Sequence, residues 1–407
     1  MNLRLKVSKI KSKATIAVSG SKSETNRLLL MQVLYPNLIL ENSSNSDDSE
    51  VMLKALSGSE TLKDIHHAGT AMRFLTAYFA VQDANEVVLT GSNRMQERPI
   101  KILVEALRQL GAEIHYEQNE GFPPLRIKGK KLVENKVSLP ADISSQYISA
   151  LLLIAPKLQN GLELTLEGKI TSVPYIQMTL AVLKELGISA EFEGQIFKVK
   201  PKFEIPASKF IIESDWSSAS YFYSIVALSE VGTQIQLSSY KKNSLQGDSV
   251  LMEIYRDLGV ETTFEENTLL LEKVACILQP ISRDLNNSPD IAQTIAVTCF
   301  GLGVGCHLTG LHTLKIKETD RLLALKNELG KLGARVSVTE DSLTLEPAQN
   351  IRSGIEIATY QDHRMAMAFA PLALKTDLVI QEAEVVSKSY PDFWNDLKNI
   401  GFQISER

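Results

Sequence analysis

LRQLGAEI, residues 107–114, carries an apolar residue, two polar ones, a second apolar residue, a glycine and then the start of an extended stretch. The same exit recurs as LKELGISA at 183–190, YRDLGVET at 255–262, LGKLGARV at 329–336 and LKNIGFQI at 397–404. Gly111, Gly187, Gly259, Gly333 and Gly401 therefore stand 68 to 76 residues apart. Each follows a helical pattern and precedes a strand-like one, which predicts a left-handed residue just past a helix C-terminus. A period near 70 is too long for a solenoid; it suits a compact unit of several strands and helices, and the chain holds about six of them. MLKALSGSE at 52–60, with Gly58, reads as a degenerate first copy. The segments VSLP, LELTLEG, QIQLSS, SLTLEP and LVIQEA alternate as strands do. The fold class is thus α/β with several sheets, in two lobes of three units. PKFEIPASKF at 201–210, with two prolines, is the expected crossing between them.

Composition bounds the function. At 407 residues, with 44% hydrophobic and 22% charged residues, the chain is an ordinary globular one of two to three domains, which excludes disorder and fibrous architectures. A net charge of -5 has the wrong sign for coating nucleic acid or anionic membrane, so any anion site must be local. Cys276, Cys299 and Cys306 are odd in number and lack CxxC spacing. They point to a reducing compartment, and each reads as a small core residue. The N-terminus has no signal-peptide apolar run, and the longest apolar stretch, Ile291 to Leu308, carries Gln293, Thr294 and Thr298 and reads as a buried helix and strand. Cytoplasmic residence is expected. No His, Cys and carboxylate set has metal-ligand spacing, so no metal is expected.

Basic residues sit where helices begin. In SGSKSETNRLLLMQVLY at 19–35, Ser21 and Glu24 form a capping-box pattern, with Lys22 in the first turn and Arg27 one turn later. AGTAMRFLTAYF has Arg73 after Gly69 and Thr70; YQDHRMAMAFAPLAL has Asp362 as a cap, then His363 and Arg364. KETDRLLALKNEL puts Lys317 and Arg321 at a helix head, and GSNRMQERPI puts Arg94 and Arg98 before Pro99, expected at the first helical position. A helix start disfavours a base by about 0.3 to 1 kcal/mol, so five such starts suggest that an anionic ligand supplies the compensating charge. No GxxxxGK[ST] and no GxGxxG after a strand occurs. Dispersed side chains would hold the anions.

Ser144, Ser145 and Gln146 head the apolar helix SSQYISALLL and suit phosphate or hydroxyl recognition, whereas Ser217 and Ser218 in SDWSSASYF read as N-caps. In NNSPDIAQTIAV, Ser288 caps and Asp290 lies in the first turn, either an ordinary helix start or a functional acid. Glu318, flanked by Lys317 and Arg321, fits a proton-transferring carboxylate beside anion ligands, or a surface ion pair.

Taken in order, SGSKSETNR, AGTAMR, LTGSNRMQERPI, SSQY, SVPY at 172–175, SSASYF, SPDIAQTIA, KETDRL, YQDHRMAMA and KSYPDFW at 388–394 closely resemble the 5-enolpyruvylshikimate-3-phosphate synthase family along the whole chain. The resemblance implies a two-lobed enolpyruvyl-transferase-like fold of six βαβαββ repeats, three per lobe, with a cleft between lobes. Residues 20–212 would form one lobe, and 1–19 with 213–407 the other. It implies transfer of the enolpyruvyl group of phosphoenolpyruvate to the 5-hydroxyl of shikimate 3-phosphate, in aromatic amino-acid biosynthesis, by a monomer without a cofactor and with no nucleic-acid or membrane partner. Shikimate 3-phosphate would be bound by Lys22, Ser23, Arg27, Ser144, Ser145, Gln146, Ser172, Tyr175, Asp290 and Lys317. Phosphoenolpyruvate would be surrounded by Lys22, Gly69, Arg94, Gln146, Arg321, Arg364 and Lys388. Asp290 looks like the base at the hydroxyl, with Glu318 and Lys22 handling protons at the methylene. His67 and Phe74 replace the family's usual Asn and Pro around Gly69, which bears on glyphosate sensitivity, and Thr313 stands for a usual Asn. The sister UDP-N-acetylglucosamine enolpyruvyl transferases characteristically use a loop cysteine, and no cysteine precedes Cys276. A catalytically silent ligand-binding paralogue is the other alternative, against which Lys22, Asp290, Glu318 and Lys388 argue.

Overall fold

All five helix-exit glycines have positive φ: Gly111 100°, Gly187 71°, Gly259 78°, Gly333 105° and Gly401 120°. At Gly187 a Cβ would meet nothing within 4 Å, so backbone conformation alone selects glycine there. Gly58 departs from the series. It follows the helix Asp47–Ser57 in extended backbone, φ -75° and ψ 153°, so the first copy lacks the left-handed exit.

The computed structural model describes residues 1–141, 143–168 and 173–407. Its contacts divide the chain into two units, Gly20–Ile212 and Met1–Ser19 with Glu213–Arg407, so the change of unit falls just after the Pro-containing stretch 201–210. Among the described residues there are five four-stranded sheets and one two-stranded sheet. In the sheet of Leu62–Asp64, Glu86–Thr90, Leu125–Lys128 and Glu113–Tyr116, the first pair is parallel and the rest antiparallel. Each four-stranded sheet repeats this order of one parallel and two antiparallel pairings. The parallel pair requires a crossover, and a helix supplies it: Gly69–Ala80 between Leu62–Asp64 and Glu86–Thr90, for example. The sixth sheet is only Leu38–Glu41 beside Ser208–Ile211.

Strands such as Lys136–Pro140 and Thr268–Lys273 alternate buried and less buried residues, as sheets with one face on a core do. The crossover helices are buried on nearly every face. In Trp216–Leu228 all but Ser217 are buried, and in Gly69–Ala80 all but Thr70. Such helices form the middle of each unit, under the sheets. Each unit has its own core. The stretch 291–308 becomes the buried helix Ala292–Leu302 and the strand Cys306–Thr309. Cys299 and Cys306 are core residues, but Cys276 is exposed, in the irregular stretch after Thr268–Lys273, contrary to its expected burial. No helix among the described residues is long and apolar enough to cross a membrane.

Candidate active site

A helix buried all round exposes chemistry mainly at its ends, and the heads of these central helices carry most of the residues singled out in the sequence. In the unit Gly20–Ile212, Lys22 opens the helix Lys22–Leu34 and pairs with Asp48 at 3.1 Å. Ser21 stands at the N-cap without a side-chain capping bond, so the capping-box reading fails in its hydrogen bonds. Arg27, 2% exposed, donates from Nε to Thr179 Oγ1 (2.8 Å), from Nη1 to the Ser23 carbonyl (2.7 Å) and from Nη2 to Ser149 Oγ and the Tyr175 carbonyl. Its guanidinium also lies 5.4 Å from the ring centre of Phe74, so the residue replacing proline packs against a cation. Burial lowers Arg27 to about 10, against the opposing pull of Tyr175 and the buried Glu24.

Arg73 is likewise buried. It donates to the carbonyls of Gly69 and Pro99 and is lowered to about 10 by burial and by Arg98. A Cβ on Gly69 would lie 2.5 Å from Arg98 Nη1, so glycine permits that guanidinium to approach the helix head. Ser144 caps Ser145–Ile154 by accepting from Gln146 N–H, Ser145 is buried, and Gln146 Nε2 donates to Thr70 Oγ1 at 3.1 Å. These contacts bring two helix heads together. Tyr175 is 37% exposed, on Val173–Glu185. Ser172 lies outside the described residues. Arg94 sits on its own short helix, Asn93–Gln96, 71% exposed and paired with Glu97 at 2.8 Å. Pro99 does not open the next helix, which is Lys101–Gln109 with Ile100 at its N-cap. His67 lies 3.6 Å from Asp48, the acid that holds Lys22.

The other unit gathers opposite charges. Arg321, 2% exposed at the head of Arg321–Leu332, reaches Asp362 from Nε (2.6 Å), Asp290 from Nη1 (2.8 Å) and Glu318 from Nη2 (2.8 Å). Asp290 also pairs with Arg364 (3.1 Å) and Lys317 (3.5 Å), and Glu318 with Lys388 (2.7 Å). Burial would raise the Asp290 carboxyl, but Arg364, Lys317 and Arg321 outweigh it and hold it far below the carboxylate range. Glu318 is lowered likewise: burial opposes the shift, and Arg321 and Lys388 prevail. Arg321 and Arg364 are correspondingly raised despite their burial. The charge compensation expected from a ligand is, for these two arginines, provided by the chain's own carboxylates. Asp362 caps His363–Phe369 by accepting from Arg364 N–H, as the sequence suggested. Thr313 Oγ1 is buried without a hydrogen-bond partner.

Ser217 and Ser218 are not N-caps. Asp215 takes that role at Trp216–Leu228, accepting from Ser218 N–H at 2.9 Å. Ser217 Oγ instead donates to Asp248 Oδ2 and accepts from Arg364 Nη2 at 3.3 Å. Asp48 and Asp248 are not expected from the sequence as members of these clusters, because acids in the first turn of a helix look ordinary there. Among the described residues no group of His, Cys, Asp or Glu forms a metal-binding set.

Five repeated strand orders over central helices, with a carboxylate-arginine cluster at the helix heads of one unit, define the enolpyruvyl-transferase class of fold. An EPSP synthase from Acinetobacter baumannii superposes with a TM-score of 0.83 at 21% identity over 100% of both chains. The enolpyruvyl transferase NikO from Streptomyces tendae does so at 0.73 and 13%, over 99% of this chain and 98% of its own. Residues 49–397 match the family EPSP synthase (3-phosphoshikimate 1-carboxyvinyltransferase). A 3-phosphoshikimate 1-carboxyvinyltransferase of Bacteroides fragilis (strain YCH46) is 47% identical over 397 residues, 96% of each chain. One of Haemophilus influenzae (strain ATCC 51907 / DSM 11121 / KW20 / Rd) is 36% identical, over 95% of this chain and 96% of its own. The chain belongs to the EPSP synthase family.

Proposed function

We propose that this chain transfers the enolpyruvyl group of phosphoenolpyruvate to the 5-hydroxyl of shikimate 3-phosphate and releases phosphate, the activity for which its relatives are named. The observation that carries the residue-level reading is the Asp290 carboxylate, held at once by Lys317, Arg321 and Arg364. In the addition step the 5-hydroxyl oxygen bonds to the central carbon of phosphoenolpyruvate while the methylene carbon gains a proton. The tetrahedral adduct then loses phosphate and a methyl proton, restoring the double bond. Asp290 is the base at the hydroxyl. With three cations on it, its basicity is low; anionic phosphoenolpyruvate drawing Arg321 and Arg364 toward itself raises that basicity when the base is needed. Glu318 and Lys22 serve the protons at the methylene.

Arg27, Lys317, Tyr175, Ser172, Gln146, Asp290 and the Ser23, Ser144, Ser145 group bind shikimate 3-phosphate. Gly69, Arg94, Gln146, Arg321, Arg364 and Lys388 bind phosphoenolpyruvate, with Lys22 serving both. Charge-assisted hydrogen bonds of this kind contribute about 1.5 to 3 kcal/mol each. The two compact units are the two lobes of three repeats each, a count that the five similar sheets and the reduced sixth support.

The test is phosphate release with the two substrates supplied separately and together, for the wild type and Asp290→Asn. Release only with both substrates is expected, and turnover of the variant should fall roughly 10²- to 10⁴-fold with shikimate 3-phosphate still binding. No release by the wild type overturns the activity. Near-normal turnover of a folded Asp290→Asn protein overturns the base assignment alone.

A further inference from the structure

Asp248 is an acid of this cluster that the reaction as described does not use and that, unlike the helix cap Asp362, holds no arginine directly. It lies on the short turn Gly247–Val250, and its hydrogen-bond donor is the Ser217 hydroxyl. That hydroxyl has no capping duty, since Asp215 caps the helix. Nor does Asp248 hold its own loop in place. Glu213 does so, accepting from Lys241 N–H, Ser244 Oγ and Trp216 Nε1, with Gln246 bonded to Trp216 N–H and the Ser214 carbonyl. The Asp248–Ser217 pair therefore faces Arg364 without an architectural reason to do so.

Arg364 meets two carboxylates of unequal standing. Asp290 is bonded to it directly and is also held by Lys317 and Arg321. Asp248 reaches it only through Ser217. Arg364 Nε is buried without a hydrogen-bond partner, so the guanidinium has capacity for a further acceptor. An anion arriving there adds a third negative charge. Asp290 starts from far below the carboxylate range, so the acid that takes up a proton first is the one without a direct cation.

We infer that Asp248 and Ser217 form a proton-linked relay at Arg364 that makes Ser217 a binding residue for the anionic end of phosphoenolpyruvate. A proton passes from solvent to the Asp248 carboxylate. Asp248 then donates to Ser217 Oγ, and the Ser217 hydroxyl, released from Asp248, donates to the bound anion. No bond to carbon changes. The charged groups around Asp248 are Asp290 on its 3-10 turn, Arg364 on His363–Phe369 and Asp215 at the head of Trp216–Leu228. Burial and Asp290 push Asp248 up to about 7, against Arg364 and Ser217, which places the relay's proton in the neutral range.

The relay rests on the proposed assignment of Arg364 to phosphoenolpyruvate, so Arg364→Ala is measured beside the test variants. The quantity is KM for phosphoenolpyruvate from pH 6 to 9 at saturating shikimate 3-phosphate. If binding takes up a proton, wild-type KM rises above about pH 7 by up to about tenfold per pH unit. Asp248→Asn cannot titrate, and its amide donates to Ser217 as the protonated acid would, so this rise should vanish. The phosphate of phosphoenolpyruvate titrates identically in every variant and cancels in the difference. Ser217→Ala should raise KM about tenfold at pH 6 and flatten the profile, with kcat moving less than KM. A wild-type slope retained in Asp248→Asn overturns the relay, as does a KM within twofold of wild type in Ser217→Ala. Should Arg364→Ala leave KM unchanged, the assignment of Arg364 falls and the relay with it; a raised KM there beside a failed relay leaves the assignment standing.

Discussion

Arg27 and Arg321 are equally buried, each 2% exposed near the start of a helix, yet they are held by opposite means. Arg321 is enclosed by three carboxylates, whereas Arg27 touches hydroxyls, carbonyls and an aromatic ring. Burial accordingly leaves Arg27 lowered and is overruled at Arg321. One unit encloses its arginine with three of its own acids, and the other bonds its arginine to hydroxyls and carbonyls, with the Glu24 charge acting on it. A dianionic ligand meets less competition at the second and must exchange partners at the first. This contrast suits Arg27 to a phosphate that stays fixed, and the Arg321 cluster to a region where charge and protons move.

The sharpest way to break the contrast is to remove each arginine. Arg321→Ala strands Asp362, Asp290 and Glu318 with fewer cations, and should cost about 3 to 5 kcal/mol in denaturant unfolding. Arg27→Met takes the cation's field from one buried acid, Glu24, where Arg321→Ala takes it from three, and Thr179 Oγ1 and Ser149 Oγ remain bonded to each other at 2.9 Å. Its stability should change by no more than about 1 kcal/mol, while calorimetry shows shikimate 3-phosphate binding weakened about 10- to 100-fold. Equal stability losses in the two variants would show that the carboxylates around Arg321 are not what distinguishes it.

Acid should separate the units next. Asp290 and Glu318 are held below their ordinary values of 3.8 and 4.5, so the stability they contribute is full above those values and declines as pH falls through and below them. The lowered glutamates of the other unit, such as Glu113 and Glu120, are on the surface, where solvent screens their pairs. Trp216 and Trp394, the chain's two tryptophans, lie in the carboxylate-rich unit and are buried. Their emission should therefore shift at a higher pH than the one at which the bulk of far-UV ellipticity is lost. Coincident transitions would count against the assigned role of the acids.

The mildest effect is expected at Arg94, whose exposed pair with Glu97 contributes little to folding. Arg94→Ala should melt within about one degree of wild type, yet raise KM for phosphoenolpyruvate with less change in shikimate 3-phosphate affinity. Equal losses for both ligands would remove Arg94 from the phosphoenolpyruvate group.

The repeated exits at Gly111, Gly187, Gly259, Gly333 and Gly401 were legible because a left-handed position leaves few alternatives to glycine. The motifs also single out Asp290, Glu318, Arg321 and Arg364, and the structure brings these four together. Sequence could not say that Arg321 and Arg364 would be satisfied by the chain itself, since Asp362 and Glu318 approach Arg321 through tertiary geometry as well as local spacing. Ser217 was misread for a related reason. Two serines at a helix start look like caps, and only the placement of Asp215 and Asp248 shows which one is free for other work. The expected Pro99 helix start failed because Ile100 intervenes as the cap, a boundary difference that propensity does not resolve.

The strand Leu3–Lys6 lies between Leu378–Ile380 and Gln403–Glu406, and Lys13–Ile16 pairs with Gln234–Leu237. During synthesis these strands must wait for partners made more than two hundred residues later, the last of them Gln403–Glu406. Gly20–Ile212 is contiguous and needs nothing that follows it to complete its sheets. The nascent chain thus carries a finished unit while Leu3–Lys6 and Lys13–Ile16 are still unpaired, exposing two short strand edges until their partners are made.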